Sequence, residues 1–403
     1  MGDIGVSKEA LMPWDRTCAL KERSSFVSDA EGSRTSIAEL CRQYGVSRKT
    51  GYKWLDRFAA EGDRGLLDRS HAALNSPHRM SDAVAEAVLG VRAQYASWGP
   101  KKIRSWLADR HPAQVWPAQS TIGALLQSKG LTVPRKRRQH VPMSAPLSHC
   151  SHPNDVWSVD FKGCFRTGDG GRCDPLTLQD AHSRYLLRCQ VVKRPTGACV
   201  WPIFDAALRE FGVPLRVRSD NGPPFAGLGA GGLSALSIRL VKAGVTPERI
   251  APGKPQQNGR LERFHLTLKS ETASPPAANL RAQQRRFDAF RTLYNEERPH
   301  EALGQTPPAR HYTASERRYS GKLREPEYAN GIEVRRVRRS GEIKWQSHTL
   351  YLSQALSGEP VGAQPIAEGL WLLCYGPVEL GIIDHRGRLR TARRPASHNR
   401  PAS

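Results

Sequence analysis

The sequence predicts a multidomain α/β protein with amino-terminal helix-turn-helix units, a mixed-sheet core and a small carboxy-terminal β-barrel. Helix-period apolar positions introduced by serine caps fill the first third of the chain. From Asp155 strand-like runs come first and then alternate with helical stretches, the texture of a mixed sheet carrying helices. Beyond Tyr328 short alternating runs are separated by Gly-containing turns. At 403 residues the chain exceeds one ordinary domain.

Charge narrows the partner. Lys plus Arg number 61 against 38 Asp plus Glu, a net +23 with a pI near 10.1, and the basic residues are clustered. Such an excess suits a polyanion, with nucleic acid foremost. The eight cysteines include no CxxC pair, which fits a reducing cytosol. His149, Cys150 and His152 lie close together but lack a second ligand pair, so they read as linker residues rather than a zinc site. Neither a signal-peptide core nor a run of roughly 20 apolar residues is visible, so a cytoplasmic protein without a membrane partner is expected.

Taken in order, residues 1–28 are expected to be irregular, with Met12 an equally good start. A helix-turn-helix domain is assigned to 29–75. In SIAELCRQYGVSRKTGYKWLDRF, Ile37, Leu40 and Cys41 share a helical face, Tyr44-Gly45-Val46 turns, and Ser47 caps a second helix. The second helix of this motif enters the major groove, which makes Arg48, Lys49, Tyr52 and Lys53 candidate DNA contacts while Trp54 and Leu55 pack inward. A second helical DNA-binding domain is assigned to 76–133, with Ser81 and Ser120 as N-caps and Val84, Val88 and Val91 on one face. A basic, proline-containing linker, 134–152, would lie near phosphates.

The core is assigned to 153–313. VWSVDFKG reads as a strand, and CDPLTLQDAHSRYLLRCQVV as a hairpin turning at Asp180 to Arg184. A helix follows over 196–211, then the strand LRVRSD delivers Asp220. Further helices are expected over 233–243, 258–268 and 280–295. A linker at 314–327, a β-rich domain at 328–392 and a disordered basic tail at 393–403 complete the chain.

Three acids stand out by context. Asp160 interrupts an apolar strand, Asp220 ends a strand before an Asn-Gly-Pro-Pro turn, and Glu262 opens a helix whose buried side is Leu261, Phe264 and Leu268. Hard divalent cations favour a few carboxylate oxygens together with substrate phosphate. Two such ions about 3.5–4 Å apart can activate an attacking oxygen and stabilise a leaving one on a phosphodiester. Lys269, nearly two helical turns after Glu262, would aim an ammonium at an adjoining phosphate. Taken singly, a strand-end Asp before Asn-Gly is more often a turn residue.

WSVDF, SDNGPPF and PGKPQQNGRLERFH together resemble the Asp, Asp, Glu triad of bacterial insertion-sequence transposases of the DDE type, whose core is retroviral-integrase-like and RNase H-like. YNEERPHEALGQTPPAR resembles the segment that closes that core, and the resemblance covers most of the chain. It implies that Asp160, Asp220 and Glu262 are catalytic and ligate Mg²⁺ or Mn²⁺, two ions in all. It also implies binding of double-stranded DNA at terminal inverted repeats, strand cleavage and transfer into target DNA, and a homo-oligomer on DNA in the bacterial nucleoid.

The interval from Asp220 to Glu262 is longer than in retroviral integrases. The surplus falls in AGLGAGGL, 226–233, expected to be a flexible loop. Gly227, Gly229 and Gly232 satisfy GxGxxG there, but no strand runs into the pattern, which excludes a dinucleotide site. His265 and His300 read as structural. Two rivals remain from the sequence: a sequence-specific DNA-binding regulator with a catalytically inactive integrase-like core, and a nuclease acting on RNA–DNA hybrids.

Overall fold

In the computed structural model the described residues are 19–32, 34–69, 80–132, 150–251 and 259–390. The chain divides into two compact units, Met1–Arg79 and Met80–Ser403. Most of the expected basic linker and the basic tail lie outside the described residues, as does His149.

The first unit holds α1 (Ala19–Gly32), α2 (Ile37–Gln43) and α3 (Arg48–Glu61). The side chains of Ser36 and Ser47 accept hydrogen bonds from the N–H groups of Glu39 and Thr50, capping α2 and α3. Phe26, Val27, Leu40, Cys41, Trp54 and Leu66 form its core. A Cβ at Gly51 would lie 2.5 Å from Cys41 Sγ, so glycine inside α3 is what lets α2 close on it. The expectation of an irregular start is corrected from Ala19 onward: α1 is helical and contributes Phe26 and Val27.

The second unit begins with α4 (Asp82–Gln94), α5 (Pro100–Arg110) and α6 (Gln119–Ser128), packed around Val88, Trp98, Ile103, Leu107, Ile122 and Leu126. Ser81 caps α4, but α6 starts after Ala118, so Ser120 lies within its first turn and caps nothing. Polar bonds tie this bundle to the segment that follows α10 of the core. Lys101 pairs with Glu301 at 2.8 Å, the Tyr95 hydroxyl donates to Glu297, and Arg310 donates to both oxygens of Asp109.

The core comprises β1 (Val156–Phe161), β2 (Phe165–Arg166), β3 (Arg172–Asp180), β4 (Leu186–Val192), α7 (Gly197–Phe211), β5 (Arg216–Ser219), α8 (Ala235–Lys242), β6 (Thr246–Arg249), α9 (Gly259–Thr272) and α10 (Leu280–Glu296). Its sheet runs β2-β3-β1-β5-β6, with β4 also paired to β3. β1, β3 and β4 are antiparallel, whereas β5 and β6 run parallel to β1. On one face Trp157, Val159 and Leu178 meet Phe204 and Leu208 of α7 and Leu236 and Leu240 of α8. On the other, Cys173, Leu186 and Cys189 meet Leu261, Phe264 and Leu268 of α9 and Phe287, Phe290 and Tyr294 of α10. Asp180 is the hinge of the β3–β4 hairpin, accepting from the Asn154 N–H and from the N–H and hydroxyl of Ser183.

The carboxy-terminal region contains β7 (Glu333–Arg336), β8 (Glu342–Trp345), β9 (His348–Tyr351), β10 (Pro360–Ala367), β11 (Leu370–Tyr375), β12 (Val378–Ile383) and β13 (Leu389–Arg390). It corrects the expected barrel. Five strands form an open antiparallel sheet, β13-β12-β11-β10-β7, beside the hairpin β8–β9, and the end strands β13 and β7 do not pair. Closure is unnecessary because core residues Ala230, Leu233, Ile238 and Val241 complete its apolar interior.

Nor is the glycine-rich loop slack. A Cβ at Gly229 would lie 2.3 Å from Ser353 Cβ, and one at Gly231 would lie 2.7 Å from Leu380 Cδ2. The Ala230 N–H donates to the Leu352 carbonyl at 2.9 Å, and the Arg249 guanidinium donates to the carbonyls of Gly231 and Gly232. The glycines therefore serve close approach. Replacing Gly229 by Val is expected to destabilise the second unit by roughly 1–3 kcal/mol through overpacking. Leu228, 92% exposed, should tolerate Ser within about 0.5 kcal/mol. Urea melts of both variants check this, and equal midpoints would show that the loop is loosely held.

Candidate active site

Backbone pairing brings the first two acids together. β1 and β5 are paired in parallel with Val156 opposite Arg216, Trp157 opposite Val217 and Ser158 opposite Arg218. Continuing two residues sets Asp160 level with Asp220, on strands about 4.8 Å apart. Both then stand at the carboxyl edge of the parallel strands, where open α/β sheets place their sites. Pleat alternation sends Trp157 and Val159 into the α7 layer and turns Asp160 towards α9.

Across the antiparallel ladder Asp160 faces Thr177. The Thr177 hydroxyl lies 3.1 Å from the Asp160 carbonyl oxygen, to which it donates, and 2.8 Å from His265 Nε2. His265 is on α9, three residues after Glu262, so this bond pins the Glu262 helix to the strand pair that carries Asp160. Glu262 itself is exposed in the first turn of α9, just after the segment 252–258 that lies outside the described residues.

Electrostatics register the gathering. Burial, then the negative charge of Asp220, and then that of Glu262 push the Asp160 carboxyl up to about 7, against a smaller opposing effect of the Phe161 backbone. Among the described residues no three His, Cys, Asp or Glu side chains are drawn in closely enough to hold a metal as they stand. Asp220 and Glu262 thus both act on Asp160, while the three acids do not converge to ligand distance as they stand.

Asp220 is fixed by its turn. Its Oδ1 accepts from the Gly222 N–H at 3.2 Å, and a Cβ at Gly222 would lie 3.0 Å from Oδ2. Asn221 Nδ2 donates to the Ile250 carbonyl at 2.8 Å, tying the turn to the end of β6. The acid before Asn-Gly-Pro-Pro is thus both a turn former and a carboxylate aimed at the sheet edge.

Cations adjoin the acids. Lys162, half-buried, follows Asp160 by two residues and shares its side of the strand. Burial and then the positive charge of Lys269 lower its pKa. Burial and then Lys162 push His265 down to about 4, leaving it neutral at pH 7. Helical spacing from Glu262 singles out Lys269 in the sequence, whereas Thr177 and the bond that His265 makes to it have no such local signal. Only the two-residue spacing after Asp160 signalled Lys162. His300 forms backbone bonds within its loop, its ring packs 4.7 Å from that of Tyr294, and its Nε2 is buried with no partner.

In the first unit Arg48, Lys49, Tyr52 and Lys53 are all exposed on one side of α3, while Trp54 is buried and Leu55 packs against the core. This is the outward face the motif requires.

Comparison with known proteins agrees with this arrangement. The chain matches the Integrase core domain over residues 151–255 and again over 243–308, a Helix-turn-helix domain over 26–73, and a Homeodomain-like domain over 50–126. It is 32% identical over 191 residues to an uncharacterized protein of insertion element IS407 from Burkholderia multivorans, covering 47% of this chain and 66% of that one. It is 28% identical over 242 residues to an uncharacterized protein of insertion element IS476 from Xanthomonas euvesicatoria, covering 59% and 66%. The chain thus spans just under two thirds of the length of these relatives. It shares an integrase core domain and a helix-turn-helix domain with family models, and sequence similarity with proteins of bacterial insertion elements. Among solved structures it is similar to the intasome of simian T-cell lymphotropic virus bound to a PP2A regulatory subunit (13% identity, 72% of this chain and 97% of that one, TM-score 0.36). It is also similar to the HTLV-2 integrase catalytic core with magnesium (16% identity, 40% and 99%, TM-score 0.32). At those scores neither adds to the topology described above.

The depressed pKa of His265 gives a test. Its folded value lies below 6.5, so its contribution to stability is complete above about 6.5 and is lost as pH falls towards 4. The stability gap between the wild type and His265→Leu should therefore shrink on going from pH 7 to 4.5 in urea titrations. Parallel curves would mean that His265 is not held neutral by the fold.

Proposed function

We propose that the protein is a DNA transposase that binds the terminal inverted repeats of its element and cuts and joins DNA strands at Asp160, Asp220 and Glu262. The observation that supports this reading is the parallel β1–β5 register that sets Asp160 level with Asp220 at the carboxyl edge of the sheet, beside the helix of Glu262. It occurs in a chain that matches the Integrase core domain. An all-carboxylate donor set beside like charges suits a hard divalent cation, so the residues present fit Mg²⁺ or Mn²⁺. When bound, two such ions would supply positive charge to the attacking and leaving oxygens of an in-line phosphoryl transfer.

The protein's own contribution is positioning. The β1–β5 ladder and the Asn-Gly turn hold Asp160 and Asp220, and the His265–Thr177 bond sets the helix of Glu262. The Thr177 hydroxyl is fully buried and engaged on both sides, so it is no nucleophile. Water attacks first: its oxygen bonds to phosphorus and gives up a proton, the bond to the 3′ oxygen breaks, and that oxygen takes up a proton to leave as a hydroxyl. The freed 3′ hydroxyl then gives up its proton as its oxygen bonds to a target phosphorus, and the target's own 3′ oxygen is displaced and takes up a proton. Arg48, Lys49, Tyr52 and Lys53 of α3 read the element ends, and Lys269 meets a phosphate near the acids. Joining two ends to a target calls for at least two copies on double-stranded DNA, in the bacterial cytoplasm at the nucleoid. Among the described residues no helix is long and apolar enough to cross a membrane.

Asp160→Asn, Asp220→Asn and Glu262→Gln are each expected to lower cleavage and joining of duplexes carrying the element ends by at least about 100-fold, with end binding retained. A wild type that binds the ends yet cuts nothing in Mg²⁺ would instead be a DNA-binding regulator. Cleavage of an RNA–DNA hybrid in preference to the end duplex would favour the nuclease reading.

Because Asp160 must lose its proton to ligate a cation, Mg²⁺ affinity should rise between pH 6 and 8 and binding should release protons. Calorimetry in buffers of different ionisation enthalpy measures this, and a flat profile would remove Asp160 from the ligand set. Replacing Arg48 and Lys49 together by Ala should weaken end binding and reduce the log–log salt slope by about 1.8 if each meets one phosphate.

A further inference from the structure

The bundle α4–α6 rests on the core through polar groups. The Tyr95 hydroxyl donates to Glu297 at 2.8 Å and that of Ser97 to Glu271 at 2.5 Å. Along α5, Lys101 pairs with Glu301 at 2.8 Å, the Ser105 hydroxyl donates to the Gln305 carbonyl at 3.0 Å, and Arg110 pairs with Glu297 at 3.1 Å. Asp109 and Arg310 form a pair of the opposite sense, 2.7 Å apart. The apolar share is small: among the described residues the core adds Leu293 alone to the bundle's apolar cluster.

Such a junction holds weakly. Lys101 and Glu301 are 57% and 75% exposed, and Arg110 and Glu297 39% and 34%, so water and salt screen both pairs. Four buried side-chain polar atoms among the described residues lack a partner, and three of them lie here. Trp106 Nε1 is on α5, its ring 4.1 Å from the Arg110 guanidinium, while His300 Nε2 and Gln305 Oε1 belong to the loop that α5 meets. Buried groups left without partners oppose closure. Burial and then the charge of Arg298 push the Lys102 ammonium, also on α5, down to about 7, so docking works against a cation that would be fully charged in water.

α5 carries Lys101, Lys102, Arg104 and Arg110 against one acid, Asp109. Carboxylate and phosphate oxygens take the same donors. We propose that Glu271, Glu297 and Glu301 are an internal stand-in for DNA phosphates: they cover the donor face of the bundle, and a duplex that binds this face displaces them and frees the bundle from the core. The partner is the DNA backbone, and the covering contact is autoinhibitory because the duplex competes with acids of the same chain. The inference rests on the DNA-binding part of the reading above and not on strand cutting.

Full-length protein and a duplex carrying the element ends, in EDTA so that nothing is cut, test the mask. In the wild type, hydrogen exchange over 300–311 should quicken several-fold when the duplex binds. Unchanged exchange in the bound complex would leave the bundle docked and overturn the proposal. The double variant Glu297→Gln, Glu301→Gln should exchange quickly before DNA is added. It should also bind the duplex several-fold more tightly at about 50 mM NaCl, the gain shrinking as salt rises, because salt screens the same acids in the wild type. Glu368→Gln with Glu379→Gln removes two exposed acids of the carboxy-terminal region and controls for net charge. Equal affinity of the Glu297/Glu301 variant and the wild type, or an equal gain in the control, would overturn the mask. Thermal melting confirms that each variant folds, and the wild-type exchange experiment needs no variant. A wild type that binds no duplex at any salt defeats the DNA-binding reading itself, whereas binding without faster exchange defeats the mask alone.

Discussion

The parallel register between β1 and β5 is the constraint on which the candidate site depends. A single-residue slip in a strand turns every side chain to the opposite face. Here it would drive Trp157 and Val159 out of the α7 and α8 layer, where both are fully buried. It would also carry Asp160 into that layer. The apolar residues thereby decide where the acids point. Asp160 and Asp220 owe their shared level to side chains that take no part in chemistry.

Holding like charges together opposes folding, and the core offsets that cost with attachments on both faces. Asp160 is repelled by two neighbours and desolvated, while one residue away Val159 and Phe161 pack inward. Glu262 is attached differently. Its helix buries Leu261, Phe264 and Leu268, but its bearing over β1 is set by one neutral histidine on one threonine. The first two acids are consequently rigid with the sheet, and the third is as well placed as α9.

Much of this was legible because it is local. Serine caps, the glycine turn before α3, the hairpin at Asp180 and the stripe on α9 are written within a few residues of where they act. α1 escaped because its two core residues, Phe26 and Val27, are consecutive and leave no stripe at helical spacing. β6 escaped because Thr-Pro-Glu-Arg has no strand pattern; it sits at the sheet edge, where Pro247 can stand without a ladder donor. Ser120 looked like a cap only because a helix start one turn either way reads equally well. The glycine-rich loop and the open carboxy-terminal sheet were misjudged for one reason: each completes the other, and the two are far apart in sequence. Among the acids the motifs marked the residues. The shared level of Asp160 and Asp220 became visible only in three dimensions.

That mutual completion limits how the molecule can be divided. Ala230, Leu233, Ile238 and Val241 belong to the core by sequence but line the interior of the terminal sheet. The strap before it is stitched to the core by Arg317, which donates to the carbonyls of Pro214 and Gly244. Cutting the gene after residue 313 would leave a greasy scar beside the segment that leads from Asp220. A laboratory fragment made that way would tend to stick to its own copies, and a fragment intended for crystals or assays should keep the chain through β13.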